Sequence, residues 1–297
     1  MPDTTKLVVL GVLTLGLYAP VLRGLLRDWW SDANYSHGFL IPAVSGYLVW
    51  ARWELMAGLP ARPANTGLAV VIAALLLLAA GALGSELFLQ RVSLVVLLTG
   101  MVLYLSGFAH CRRLLFPLGL LLLMIPLPAV IMYQITFPLQ LLASRLAAQT
   151  IRWAEVPVLR EGNMIYLAQT SFQVVEACSG MRSLFTLITV GCVTAHFTQT
   201  SSWARLLLVA SAVPIALVAN AARLTGTALL AHHFGAGAAD GFFHHFSGWL
   251  LVLLACLLLF LEAAVLARGA GRPADPNPLK ESSSIHRGRT AEGGGHE

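Results

Sequence analysis

Long apolar runs separated by short polar segments dominate the sequence and predict helices that cross a membrane. Spanning the hydrocarbon takes about 20 apolar residues in a helix, and about eight segments fit that pattern. They are residues 7–26, 38–53, 67–87, 92–110, 114–133, 178–197, 204–231 and 244–267. The pattern predicts an all-α polytopic membrane protein, a bundle of about eight transmembrane helices.

Two further segments have patterns that do not suit a membrane span. Residues 134–155 place polar side chains at helical spacing on one face, which predicts a short interfacial helix at the outer surface. These side chains are Gln140, Ser144, Arg145, Gln149 and Arg152. Residues 156–175 alternate apolar and polar positions around a Glu-Gly-Asn turn, which predicts a small β-hairpin.

Composition separates one membrane domain from a polar tail. The chain is 57% hydrophobic and 11% charged, whereas soluble domains carry about 25% charged residues. Lipid must therefore solvate most of its surface. Residues 1–268 are expected to form a single transmembrane domain. Residues 269–297 are rich in Gly, Ser, Pro and charge, which predicts a disordered cytoplasmic tail.

The basic residues suit membrane topology better than nucleic-acid binding. The net charge is +5, but Lys and Arg are scattered between apolar runs and form no stripe, so we expect no nucleic-acid partner. Placing both termini in the cytoplasm puts the tighter basic clusters on the inside, as the positive-inside rule requires. The inner loops then hold Lys6, Arg52, Arg62, Arg112, Arg113, Arg205, Arg268 and Arg272. Arg23 and Arg27 fall outside and count against this topology.

Four chemically active side chains lie within seven residues at the start of the sixth apolar segment. They are Glu176, Cys178, Ser179 and Arg182. A helix N-terminus and a nearby guanidinium both favour the reactive thiolate form of cysteine. Cys178 is also the one cysteine that this topology places on the outer side of the membrane, so it has no disulfide partner within the chain. These features make Cys178 a candidate nucleophile.

Two later segments bring complementary groups to the same predicted face. Arg223 lies in the outer half of the seventh segment, where an arginine is costly and is by default a functional candidate. It could stabilise an oxyanion, and Asn220, one turn earlier, could orient it. His244 and His245 begin the eighth segment, and histidine can move protons near neutral pH. A metal site formed with His232 and His233 is disfavoured because no acidic cluster accompanies them, and no cofactor is expected.

Several motifs resemble those of the exosortases, polytopic membrane cysteine proteases and transpeptidases. The three signature segments are matched by "EACSGMRSL", "ANAAR" and "FHHFSGW". Further likeness lies in "NYSHGFLIPAVSGYLVW", "MIPLPAVIMYQITFPLQLLAS" and "VPVLREGNMIYL", so the resemblance covers roughly residues 30–265. It implies that Cys178 is the nucleophile, Arg223 the essential arginine and His244 the essential histidine. His244 precedes Gly248 by four residues, as in the family's His-x-x-x-Gly-Trp segment, but the adjacent His245 leaves the choice of imidazole open.

The resemblance also implies a substrate and a location. Exosortases act on PEP-CTERM signals, which combine a Pro-Glu-Pro motif, a transmembrane helix and a basic cluster. They are linked to exopolysaccharide and biofilm loci in Gram-negative bacteria. The implied partners are signal-bearing proteins, membrane lipid and an acceptor that is water or an unknown amine. The implied site faces the periplasm from the bacterial inner membrane.

Two other functions remain as alternatives. A polysaccharide or lipid transport component would use the outer arginine and histidines to bind an anionic head group, and its binding would survive Cys178→Ala. A metal-dependent intramembrane protease is disfavoured because the sequence has no HExxH motif and no paired intramembrane Asp.

Overall fold

The computed structural model of the chain describes residues 4–168, 171–173, 181–235 and 242–269. The α-helices within those ranges are α1 (Thr4–Ser31), α2 (Leu40–Ala51), α3 (Trp53–Ala57), α4 (Thr66–Leu83), α5 (Leu87–Ser106), α6 (Phe108–Leu120), α7 (Ala129–Trp153), α8 (Met181–Thr198), α9 (Ser202–Phe234) and α10 (Phe242–Gly269). Two 3₁₀ helices span Ala33–Phe39 and Leu121–Met124, and the strands are β1 (Val158–Glu161), β2 (Met164–Leu167) and β3 (Ser171–Gln173).

Five helical segments in the described ranges are long and apolar enough to cross a membrane. They are Val8–Ser31, Thr66–Leu83, Leu87–Ser106, Ser202–Phe234 and Gly248–Arg268. Large apolar side chains remain exposed along them, for example Leu253, Leu257 and Val265 on α10. Such a surface requires lipid as its solvent. The predicted class, an all-α polytopic membrane protein, is confirmed.

The predicted spans 38–53 and 114–133 differ from the helices that form, whereas the described part of α8 agrees with the predicted span 178–197 from Met181 onward. The segment 38–53 contains α2, which has 12 residues and is about 18 Å long, short of the hydrocarbon thickness. The segment 114–133 is not one helix, because the chain breaks between Met124 and Ala129.

Proline explains the break in the segment 114–133. Pro126 and Pro128 lie between the second 3₁₀ helix and α7, and each removes a backbone donor and disfavours helix in the residue before it. The two helical arms on either side, Phe108–Met124 and Ala129–Trp153, are bent by 84° relative to each other. They are long and apolar enough to cross a membrane only when they are counted together as one span. Helix α7 therefore begins five residues before the predicted interfacial helix.

The sequence pattern predicted that the polar residues of α7 share one face, but in the structure they do not. Gln140 and Ser144 are buried, whereas Arg145, Gln149 and Arg152 are exposed. The Ser144 hydroxyl donates to a carbonyl of its own helix or to that of Gly162, 3.1 Å away in the β1–β2 turn. Burial of Ser144 thus attaches the sheet to α7, while the exposed polar residues line the opposite face.

The predicted hairpin is present and is extended by a third strand. Strands β1 and β2 are antiparallel, with Glu161 opposite Met164, and Gly162 adopts a φ of 61° in the turn, where glycine is favoured. Strand β3 pairs with β2 and places Phe172 opposite Ile165. Ile165 is fully buried in a cluster with side chains of α7 and α9.

Exposed tryptophans mark the two ends of the bundle. One group consists of Trp30 at the end of α1, Trp153 at the end of α7 and Trp249 near the start of α10. The other consists of Trp50 and Trp53 around the α2–α3 junction and Trp203 at the start of α9. Tryptophan is enriched at membrane interfaces because its ring is amphipathic. The two groups thus fit the two edges of a bilayer.

Polar contacts between helices also show which helix ends lie close together. At one end, Arg91 on α5 forms an ion pair with Asp28 on α1, at 2.6 Å. The Arg91 side chain is 5% exposed, and a buried charge of this kind requires such a partner. At the other end, Arg52 contacts His196 at the end of α8. Each contact joins two helix ends that the topology predicted from charge also places on one side, and which side is cytoplasmic stays a prediction.

Helices α8, α9 and α10 pack into one apolar cluster. It contains Leu184, Leu187, Ala195, Leu208, Ala212, Ala216, Ala255, Leu259 and Ala263. The many alanines let the helix backbones approach closely, which is the usual basis of helix association in lipid. This cluster fixes the relative positions of the three helices that carry the candidate site residues.

Candidate active site

The predicted nucleophile lies just before a well-defined helix. Glu176, Cys178 and Ser179 fall in residues 174–180, outside the described residues. The described part of α8 begins at Met181, three residues after Cys178, and its backbone includes Arg182, whose side chain is not described. The predicted position of Cys178 relative to a helix N-terminus therefore stays a prediction.

The predicted arginine lies against the predicted histidine helix. Arg223 is half-buried in the C-terminal half of α9. A Cβ built on Gly248 of α10 would lie 3.7 Å from Nη1 of Arg223, in ordinary van der Waals contact. His244 lies one helical turn before Gly248. The backbone thus brings the "ANAAR" and "FHHFSGW" segments close together.

The predicted histidine pair lies at the start of α10, and the structure does not describe these two side chains. His244 and His245 are the third and fourth residues of that helix. His232 and His233 end α9, with ring centroids 5.0 Å apart. Among the residues that the structure describes, no group of three or more His, Cys, Asp or Glu residues could hold a metal ion.

Asn220 is buried near Arg223 and makes no hydrogen bond to it. It is 4% exposed, and neither its amide nitrogen nor its amide oxygen has a hydrogen-bond partner in the described part of the chain. The expected orientation of Arg223 by a hydrogen bond from Asn220 is therefore absent between these described residues. Arg223 does have an interaction with another group.

Sequence reasoning quoted the segment around His37 but gave it no role. The His37 ring stacks on Phe185 of α8 with centroids 6.0 Å apart, and the Tyr35 ring lies 6.3 Å from the same phenyl group. Phe185 follows Met181 by one turn. The 3₁₀ helix Ala33–Phe39 thus packs against the start of α8. The His-Gly pair between two apolar runs marks this segment as unusual, but nothing in the sequence identifies Phe185 as its partner.

His37 is held in an environment that favours its neutral form. Burial lowers the pKa of His37, and the carbonyls of Leu123 and Asn34 only partly oppose that effect. Its Nδ1 is buried and has no hydrogen-bond partner within the described ranges. Since charging an imidazole in such surroundings costs free energy, His37 is suited to packing against α8 as a neutral ring.

Gly38 allows the same segment to approach α1. A Cβ on Gly38 would lie 2.4 Å from the indole nitrogen of Trp29. That nitrogen donates a hydrogen bond of 2.9 Å to the Met124 carbonyl. The absence of a side chain at Gly38 therefore permits a contact that connects α1, the first 3₁₀ helix and the second.

Gly38→Ala is expected to destabilise the fold by about 1–3 kcal/mol, the usual cost of overpacking a core. The added methyl group must displace the Trp29 ring and with it the bond to Met124. Thermal unfolding in detergent measures the effect. Gly46→Ala is the matched control, because a Cβ there meets nothing within 4 Å, and it should unfold as wild type does. Equal midpoints for the two variants would contradict this packing.

The comparison with protein families gives a match over most of the chain. A family described as transmembrane exosortase matches residues 29–261. The match covers well over half of the chain, from the end of α1 into α10, and includes every candidate site residue. No curated protein and no solved structure matches the chain.

Proposed function

The chain belongs to the transmembrane exosortase family, and from that premise we propose that it is a membrane-embedded cysteine peptidase and transpeptidase. It cleaves the C-terminal PEP-CTERM sorting signal of exported proteins through a thioester on Cys178. The contact between Arg223 and α10 at Gly248 is the observation that carries the proposal. It supports a site built from α9 and α10, to which the segment before α8 supplies the thiol.

The first chemical step is attack of the Cys178 thiolate on the carbonyl carbon of the scissile peptide bond. A C–S bond forms, and the carbonyl oxygen becomes an oxyanion. Arg223 donates hydrogen bonds to that charge, and a preorganised donor in such a position supplies about 3–4 kcal/mol. Arg223 is half-buried and lies against α10 at Gly248. Its guanidinium is therefore already restricted before the reaction and loses little conformational entropy during it.

The second step breaks the C–N bond. His244, as imidazolium, gives its proton to the leaving amine, and the released segment carries the transmembrane helix of the signal. The acyl group stays on Cys178 as a thioester. Water or an amine of an acceptor then attacks the thioester, the neutral His244 takes the proton of that nucleophile, and the thiolate is restored.

Supporting roles are assigned from position in the sequence. Arg182, Glu176, Ser179 and His245 flank the catalytic residues in sequence and would tune their charge and orientation. The enzyme acts in the bacterial inner membrane with its site at the periplasmic face, in association with exopolysaccharide or biofilm export. A signal held by its basic cluster at the cytoplasmic side would present Pro-Glu-Pro at that face.

The proposal is tested by mass spectrometry of a PEP-CTERM protein co-expressed with the enzyme. The expected product is truncated near Pro-Glu-Pro and carries either a free carboxylate or an attached acceptor. An inactive Cys178→Ala enzyme should leave the substrate at full length. Full-length substrate beside wild-type enzyme that accumulates in the membrane would contradict the function.

His244→Ala is expected to slow processing by about 10²–10⁴-fold, the usual contribution of a positioned acid and base. His245→Ala should stay within a few-fold of wild type, since the four-residue spacing to Gly248 selects His244. Initial rates on a signal peptide measure both. The reverse pattern would move the proton transfer to His245 and leave the thioester mechanism intact.

A further inference from the structure

Asn220 is a buried amide that the described part of the chain leaves without a partner. It is 4% exposed, and both of its polar side-chain atoms lack hydrogen bonds to described residues. An asparagine amide offers two donors and an acceptor oxygen. Leaving these groups unpaired away from water costs free energy, so each such case in a native protein needs an explanation.

The position of Asn220 on α9 is distinctive. Buried residues on this helix recur every four positions, and each step of four turns the stripe by about 40° around the helix axis. Leu208, Ala212 and Ala216 belong to the cluster with α8 and α10, whereas Leu224 and Ala228 belong to the cluster with α7 and β2. Asn220 lies between these two sets, where α9 changes neighbours.

Two other polar side chains on α9 are satisfied. The Thr225 hydroxyl bonds to that of Thr150 on α7 at 2.5 Å, and the Ser211 hydroxyl donates to the Leu208 carbonyl at 2.8 Å. These two hydroxyl groups are paired within the protein, whereas the described residues offer the Asn220 amide no partner. This contrast points to a partner that arrives with a ligand.

The chemistry of an amide selects the partner. A side-chain amide can donate to a peptide carbonyl and accept from a peptide N–H, but both groups are already paired inside a substrate helix. They become available only where the substrate is unwound, and lipid supplies no water to satisfy them there. Arg223 lies three residues from Asn220, so an unwound segment near Asn220 is also near the proposed oxyanion site.

We propose that Asn220 is a substrate-positioning residue that hydrogen-bonds the main chain of the unwound substrate segment beside the scissile bond. This inference rests on the proposed function. It makes Asn220 a selector for an extended peptide, independent of side-chain identity. An uncleaved helical segment would leave the amide unpaired and would be disfavoured.

The test compares Asn220→Leu, which keeps the number and branching of the side-chain heavy atoms, with Thr225→Val. Both variants are made in the inactive Cys178→Ala background, and binding is measured with a fluorescent synthetic peptide containing Pro-Glu-Pro, an apolar helix and a basic cluster. Asn220→Leu should weaken binding at least tenfold while its melting temperature stays equal or rises. Thr225→Val loses a satisfied hydrogen bond, so it should lower the melting temperature and leave peptide affinity within about twofold.

The outcomes separate this inference from the proposed function. Unchanged affinity in Asn220→Leu, beside a parent that binds the peptide, would overturn the role of Asn220 alone. A lower melting temperature in Asn220→Leu would also overturn it, because it would show that the amide is satisfied within the protein. If the parent does not bind the peptide and the wild type does not cleave it, the proposed function falls and this inference falls with it.

Discussion

Cys178→Ala is expected to abolish cleavage of the sorting signal, with a loss of at least about 10³-fold, because removing the nucleophile of a covalent mechanism leaves only residual catalysis. The substitution removes one sulfur atom, so the protein should still accumulate in the membrane. Cys178→Ser should be nearly as inactive, since a hydroxyl ionises far less readily than a thiol. Processing of a co-expressed substrate, followed by immunoblotting, measures the loss.

A second cysteine provides the control for this variant. Cys111 is half-buried near the start of α6, and the predicted topology places it at the cytoplasmic end, away from the site. Cys111→Ala should process the substrate at a normal rate. A normal rate in Cys178→Ala instead would end the cysteine mechanism and favour a transport protein that binds an anionic head group.

Arg223→Lys is expected to reduce kcat almost as much as Arg223→Ala, by about 10²–10³-fold, the range found when a donor to an oxyanion is removed. Lysine keeps the charge but not the planar fork of donors, and its shorter head group would not reproduce the contact of Nη1 with the Gly248 region. Steady-state kinetics on a signal peptide in detergent measures the effect.

Arg205 supplies a matched control on the same helix. It is exposed near the start of α9, at the opposite end from Arg223, and its Nε donates to the Gln199 carbonyl. Arg205→Lys should leave kcat within about twofold. A fully active Arg223→Lys would show that position 223 needs only a positive charge, and the oxyanion role of the fork would be wrong.

The apolar pattern predicted most of the long helices because lipid imposes a length and composition on every span. The ranges for α4, α9 and α10 were close to those observed, since each is a continuous apolar run between polar loops. The pattern failed at 114–133, where hydropathy stays high through Pro126 and Pro128 while the backbone cannot continue as a helix. If these two prolines had been given more weight than hydropathy, the break in the helix would have been predicted.

The site was less accessible to sequence reasoning, because packing between distant segments has no local signature. The predicted topology brought the segments of Arg223 and His244 to one face of the membrane, and the structure places the Arg223 guanidinium beside α10 at Gly248. The sequence could not predict the stack of His37 on Phe185. Nor could it predict the unpaired amide of Asn220, because hydrogen bonding in a membrane core depends on which helices meet there.

The most direct test of the account is capture of the acyl-enzyme on Cys178. Wild-type enzyme is incubated with a signal peptide, quenched in acid, digested and examined by mass spectrometry, with and without hydroxylamine. The account predicts that the peptide containing Cys178 gains the mass of the N-terminal signal fragment and loses it in hydroxylamine. Cleavage without any adduct on Cys178, or a hydroxylamine-sensitive adduct on another residue, would contradict the assignment of Cys178 as the nucleophile.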